Sequence, residues 1–342
     1  MCLRIAVLGL SVVFSGTAAR ALASAETCTT QSQMKDSDRS ALTSAARVIA
    51  AKVQTSDAAG LRSSSAPEFG SNFGALQTLV AETAPRLKGG TLNVDQVYLL
   101  DASQLKPETG GTEAQFFCSL NRSANDVEFI IPGLSPGHYG FAVVQVTGTP
   151  PWSIPMLLRR DRGEWLLAGI YPHSTQAAGH DGLWFWREAR RLASEKQRWN
   201  AWLYYGEAEA LLKPADFIQS THLEKLREEQ RAAAPPAVSA GIGPDVPLVI
   251  RGGDGSEYRF TGMSTDDTLG KDQVDLFAHL RVDQVGDVAT ARKRNEDAMR
   301  ALLAAYPELR GGFHGIWIVA EGTAGASGQP PFATEEAMSE LR

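Results

Sequence analysis

From Ser37 onward apolar residues recur at spacings of three and four, with Leu42, Ala45, Ala46, Ile49 and Val53 on one stripe. That period is helical, and Asp36 or Ser37 is of the type that caps such a start. A second helical stripe follows in Phe73, Leu76, Leu79, Val80 and Leu87. Ser71 or Asn72 stands at its start, and Gly89-Gly90 can supply the left-handed residue that ends it. From Leu92 the texture changes. "TLNVDQVYLL", "AQFFCSL", "VEFII", "YGFAVVQV", "WSIPMLL" and "EWLLAGIY" are short, β-branched or aromatic, and separated by Gly, Pro and Asn. "YGFAVVQV" is apolar on both faces, which places it in the middle of a sheet. "RRDRG" reads as a hairpin turn between the last two strands.

After Gly182 the helical period returns in "LWFWREARRLASEKQRWNAWLYYGEAEALLKP", and a further, mainly polar helix follows in "PADFIQSTHLEKLREEQRAAA". "AAAPPAVSAGIGPDVP", residues 232–247, is a linker by composition. Beyond it "VPLVIRGGDGSEYRF" reads as a hairpin turning at Asp254-Gly255. "DQVDLFAHLRV" alternates cleanly, with Val274, Leu276, Ala278, Leu280 and Val282 on one face. Ala298, Met299, Leu302, Leu303 and Tyr306 line a helix ended by Pro307, and "GFHGIWIVAEG" returns as a strand. The C-terminal unit is therefore β-α-β at its centre, and no family resemblance is assigned to it.

Two helices followed by a curved antiparallel sheet, closing with "MLLRRDRGEWLLAGIY", resemble the NTF2-like (cystatin-related) superfamily over roughly residues 36–171. That resemblance implies a cone whose sheet wraps the helices, with a concave pocket suited to a small apolar ligand. "LWFWREARRLASEKQRWNAWLYYGEAEALLKP" resembles a single tetratricopeptide hairpin, on Phe185, Ala189, Leu192, Ala201, Tyr205 and Ala208. Glu188 stands where a leucine is usual, and Pro214 comes one residue late. One hairpin cannot bury its own face, because such repeats need roughly three units. It must pack on something else, or offer its surface to a protein partner.

The amino terminus, "MCLRIAVLGLSVVFSGTAARALASAETC", has a basic start, an apolar run and an A-x-A pair at Ala23 and Ala25. The run is shorter than the roughly 20 residues a membrane span needs. It reads as an export signal, residues 1–25, cleaved after Ala25. No later apolar run is long enough to span a membrane. Removal of the signal leaves Cys28 and Cys118, which in an oxidising compartment suggests one disulfide; two separate free thiols are the alternative. The 342 residues carry 33 Lys+Arg against 39 Asp+Glu, without a basic stripe, which argues against nucleic acid. The expected organisation is α+β: signal peptide 1–25, an NTF2-like domain 26–181, hairpin and extra helix 182–231, linker 232–247, and an α+β domain 248–342.

Candidate chemistry concentrates in "YPHSTQAAGHDGLWFW", Tyr171 to Trp186. His173, His180, Asp181 and Trp184 are its ligand-binding candidates. A zinc site would need a third protein ligand and partners for both imidazoles, and only Asp181 is near in sequence. The stretch reads more simply as a flexible corner where a strand ended by Pro172 hands over to a helix capped by Asp181. On that reading both histidines are dispensable to stability. "GLSPG" at Gly133–Gly137 fits G-x-S-x-G, but Pro136 has no N–H for an oxyanion and a strand follows, not a helix. "STDDTLGKDQVD" gathers four aspartates at spacings that match no calcium loop. Five of the seven tryptophans fall between Trp165 and Trp202, where packing explains them more readily than ligand stacking. No constellation implies a cofactor, a metal or a catalytic residue. The expected function is an exported, non-catalytic binding or assembly protein of the cell envelope or extracellular space. The alternative is a small-molecule hydrolase or isomerase working in the cone pocket.

Overall fold

The computed structural model describes residues 26–71, 73–106, 113–119, 126–268, 272–323 and 330–341. The export signal and its cleavage after Ala25 lie outside the described residues. The first part of the chain runs β1 (Thr27–Thr30), α1 (Asp36–Gln54), α2 (Ala58–Ser63), α3 (Pro67–Gly70), α4 (Phe73–Leu87), β2 (Leu92–Asp101), β3 (Glu113–Ser119), β4 (Asp126–Pro132), β5 (His138–Val146), β6 (Trp152–Asp161) and β7 (Glu164–Ile170). α1 takes Lys35 as its N-cap without a side-chain bond. Asp36 and Asp38 fall in its first turn, where the helix dipole favours them. α4 ends at Leu87, and Gly89 is left-handed at φ 78°.

The sheet β1-β2-β5-β6-β7 is antiparallel with β5 at its centre. Its side chains divide strictly by period two. Ala142, Val144 and Val146 join Leu42, Ile49 and Val53 of α1 and Leu76 and Val80 of α4 in one core. Gly140 lets α1 approach: a Cβ there would lie 2.5 Å from a Leu42 methyl. Phe141 and Val143 point the other way, into a second core with Phe116, Cys118, Phe129 and Ile131. The expected single wrapped sheet is thus two stacked sheets. β3 and β4 leave the first and cover its back, because β5 has no polar face to give to water. The β6–β7 turn is the expected hairpin, with Arg162 and Gly163 both at positive φ.

The middle of the chain is β8 (His173–Ser174), β9 (Gln176–Ala177), β10 (His180–Asp181), α5 (Gly182–Ser194), α6 (Arg198–Leu212), β11 (Ile218–Ser220) and α7 (Thr221–Ala233). β11 returns to the first part and pairs antiparallel with β4, completing the sheet β11-β4-β3. α5 and α6 form the expected hairpin. Gly182, at the start of α5, lies so near the end of α6 that a Cβ would meet Leu212 at 2.6 Å.

The last part is β12 (Leu248–Arg251), β13 (Glu257–Asp266), β14 (Asp275–Val282), α8 (Val288–Ala305), α9 (Leu309–Gly312), β15 (Gly315–Gly322) and β16 (Phe332–Ala337). These strands form one sheet in chain order, antiparallel except for β14 and β15, which α8 connects in parallel. Leu276, Ala278 and Leu280 of β14 are buried, as the alternation requires. They share a core with Phe185, Ala189, Trp199, Tyr204 and Ala208 of the helical hairpin. The hairpin therefore buries its apolar face on the C-terminal sheet, and that face is not open to a partner. Within 232–247 a short 3-10 turn, Pro236–Val238, sets Val238 in this same core, and Arg281 donates to the Pro244 carbonyl at 2.7 Å. The protein is α+β throughout, and among the described residues no helix is long and apolar enough to cross a membrane.

Candidate functional site

Tyr171 to Trp186 forms a hydrogen-bonded corner. β8 adds to β6, with His173 opposite Ser153. β9 and β10 pair across a tight turn at Ala178 and Gly179, whose φ values of 48° and 76° suit a two-residue hairpin. The Ala178 N–H donates to the Asp267 carboxylate at 2.9 Å, tying the corner to the end of β13. The Asp181 carboxylate accepts from the Trp184 N–H at 2.7 Å and caps α5 as its residue type predicts.

Each polar candidate has a structural partner. His173 Nδ1 lies 3.1 Å from the Tyr171 carbonyl, which only accepts, so this nitrogen carries the proton. Burial holds the His173 imidazole below its ordinary pKa, with that backbone bond opposing the shift. His180 lies flat on Trp184. The structure does not draw these residues into a shared coordination sphere, and among the described residues no group of three or more His, Cys, Asp or Glu could hold a metal.

Cys28 and Cys118 are joined, with Cα atoms 5.4 Å apart. The bond ties β1, an edge of the first sheet, to β3 of the second. Ser135 sits in the loop between β4 and β5, and its carbonyl accepts from the Tyr139 hydroxyl at 2.8 Å. Among the aspartates, Asp266 accepts from the Thr268 N–H at 2.8 Å, and Asp275 lies 3.2 Å from His314 Nδ1. The tryptophans also divide. Trp165 and Trp199 are core residues, while Trp186 donates to Glu229 of α7 at 2.8 Å.

The concave face toward α1 and α4, where the cone pocket was expected, is filled by side chains. Open space remains at its edge and beyond it. A groove of about 730 Å³ runs between α4 and the start of β6, where the Arg86 guanidinium sits 5.9 Å from the Trp152 ring centre. A second, of about 530 Å³, opens where β1, β2, β4 and the start of α7 meet. Its lining includes Gln31, Arg39, Gln96, Tyr98, Asp126 and His222. Sequence reading missed it because these residues come from separate stretches of chain. One local signal was present. In "NVDQV" two polar residues part Val94 from Val97, and β2 carries a bulge there that turns Gln96 outward.

Sequence also gave no warning of Glu207. On α6 it faces β13 and accepts from the Thr265 hydroxyl. Burial raises its carboxyl above the ordinary value; Thr265 opposes this, while Asp267 and Asp266 add to it. Searched against protein-family models, curated proteins and solved structures, the chain matches none.

Proposed function

We propose that this chain is an exported, non-catalytic binding or assembly protein of the cell envelope or the extracellular space. On this reading residues 36–171 are an NTF2-like unit with an added back sheet, and α5–α6 is a lone tetratricopeptide-like hairpin used as an internal brace. The observation that carries the function is the commitment of every nominated polar residue to local structure. His173 serves a carbonyl, His180 a tryptophan face and Asp181 a helix cap. The Cys28–Cys118 bond supports export, since such bonds persist in oxidising compartments. On this reading binding is assigned to the open cleft at the junction of the two sheets. The test is turnover. The purified chain beginning at Glu26 is assayed on ester, phosphoester and glycoside substrates beside its His173→Ala and His180→Ala variants. No rate above buffer is expected from any of the three. A rate lost in either variant would sink the proposal and restore the hydrolase reading.

A further inference from the structure

We infer that the cleft between β1, β2, β4 and α7 binds a neutral, polyhydroxylated ring of mono- to disaccharide size. The inference rests on the binding-protein reading and names its ligand class. Size permits it: about 530 Å³ falls within the roughly 300–1,000 Å³ of small-ligand sites.

The hydrogen-bonding groups decide the chemistry. Gln31 Oε1 accepts from the Val97 N–H at 3.2 Å. A backbone N–H only donates, so the carboxamide orientation is set and its NH₂ is left over. Gln96 Oε1 accepts from the Tyr98 hydroxyl at 3.2 Å, which places a second carboxamide on the lining. Arg39 donates to the Gln31 carbonyl at 3.3 Å and to Asp36, using part of a five-donor guanidinium. Against these donors stand the Asp126 carboxylate and the His222 imidazole, both on the lining. Paired amides, a guanidinium and a carboxylate suit vicinal hydroxyls, each of which both donates and accepts.

Charge separates this class from the anions. Arg39 is already paired with Asp36, and the Asp126 carboxylate stands on the same lining, so a phosphate meets a neutralised guanidinium and a repelling carboxylate. Val127 on the same lining offers apolar surface for the C–H face of a ring, while Val97 and Tyr98 lie buried beneath it. The walls are held before any ligand arrives. Cys28 pins β1 to β3, Ser220 pairs with Val127, and the Asp126 N–H donates to Thr221 at 3.1 Å. Prior ordering of this kind lowers the cost of binding.

The experiment is a titration of the ¹⁵N-labelled chain, read on the side-chain NH₂ resonances of Gln31 and Gln96. The probes are glucose, N-acetylglucosamine, maltose and, separately, inorganic phosphate. At least one saccharide is expected to move both resonances saturably, with about tenfold weaker binding in Gln96→Ala and in Asp126→Asn, the loss of one hydrogen-bonding group. Phosphate is expected to leave both unmoved. Saturable shifts with phosphate, no saturable shift with any saccharide, or undiminished affinity in both variants overturns the ligand class. None of these outcomes touches the turnover assay, so failure of the ligand class and failure of the non-catalytic reading are separately visible.

Discussion

His180 lies flat against Trp184, ring centroids 3.7 Å apart and planes 8° from parallel. The contact closes the corner over the start of α5, beside the Asp181 cap. Composition alone suggested that His180 could be removed freely; the stack says otherwise. His180→Ala is expected to cost about 1 kcal/mol, within the range of an aromatic pair. Asp181→Ala is expected to cost a further ~1 kcal/mol through the lost cap. The two sites are adjacent, so the double variant should depart from additivity. Urea unfolding of the three variants measures this, and unchanged midpoints in both single variants would refute it.

The Cys28–Cys118 bond encloses a sequence separation of 90. By chain entropy such a loop adds at most roughly 4–5 kcal/mol. The doubly substituted Cys28→Ala/Cys118→Ala chain is expected to lose about 2–5 kcal/mol in denaturant unfolding. Mass spectrometry after alkylation without reductant should find no modified cysteine in the chain beginning at Glu26.

Residues 232–247 read as a domain boundary, and the helices before them share a core with the sheet after them. Trp199 packs on Tyr306 with ring centres 4.6 Å apart, and Tyr204 donates to the Gly312 carbonyl at 3.0 Å. A fragment of residues 248–342 is therefore expected to lack a cooperative thermal transition, while a fragment of residues 182–342 retains one. Circular dichroism melts compare them. A sharp transition in the shorter fragment would show that the hairpin is dispensable to the sheet.

Gly312 lies under the side chain of Asn200. A Cβ at Gly312 would fall 2.4–2.6 Å from three atoms of the Asn200 carboxamide. Asn200 is fully buried and donates to the Glu308 carbonyl at 2.8 Å, so it has little freedom to move aside. Gly312→Ala is expected to destabilise by about 1–3 kcal/mol. Gly311→Ala, where a Cβ meets nothing within 4 Å, is the control and should be nearly neutral.

Glu207 makes stability depend on pH. Its carboxyl is raised above 4.5 by burial first, with Asp267 and Asp266 adding. A folded pKa above the unfolded one means that the folded state holds more protons between the two values. Its stabilising contribution is complete below about 4.5, falls as pH rises towards the folded value, and is constant above it. Glu207→Gln keeps an acceptor for Thr265 without the charge. The variant is expected to be more stable than the parent at pH 7, with that advantage shrinking as pH drops to about 4. Denaturant unfolding across this range decides it, and a pH-independent difference would rule the mechanism out.

What the sequence determined by itself was local. The stripes of Leu42–Val53 and Leu76–Leu87, the two-sided apolarity of "YGFAVVQV", the Arg162-Gly163 turn and the Asp181 cap are set by short-range periodicity and backbone sterics. Neighbours in the chain therefore suffice to read them. The pairing of Cys28 with Cys118 was legible only by elimination, since nothing local shows that β1 and β3 meet. Tertiary structure alone decided which faces meet. Phe116 and Phe129 could have extended the first sheet, but they lie behind it because Phe141 and Val143 needed cover on that side. The hairpin likewise found its cover on Leu276, Ala278 and Leu280. Glu207 became a buried acid, and Gln31, Gln96 and Asp126 became neighbours, through contacts between distant segments. Burial and convergence are properties of packed surfaces, and a one-dimensional pattern does not carry them.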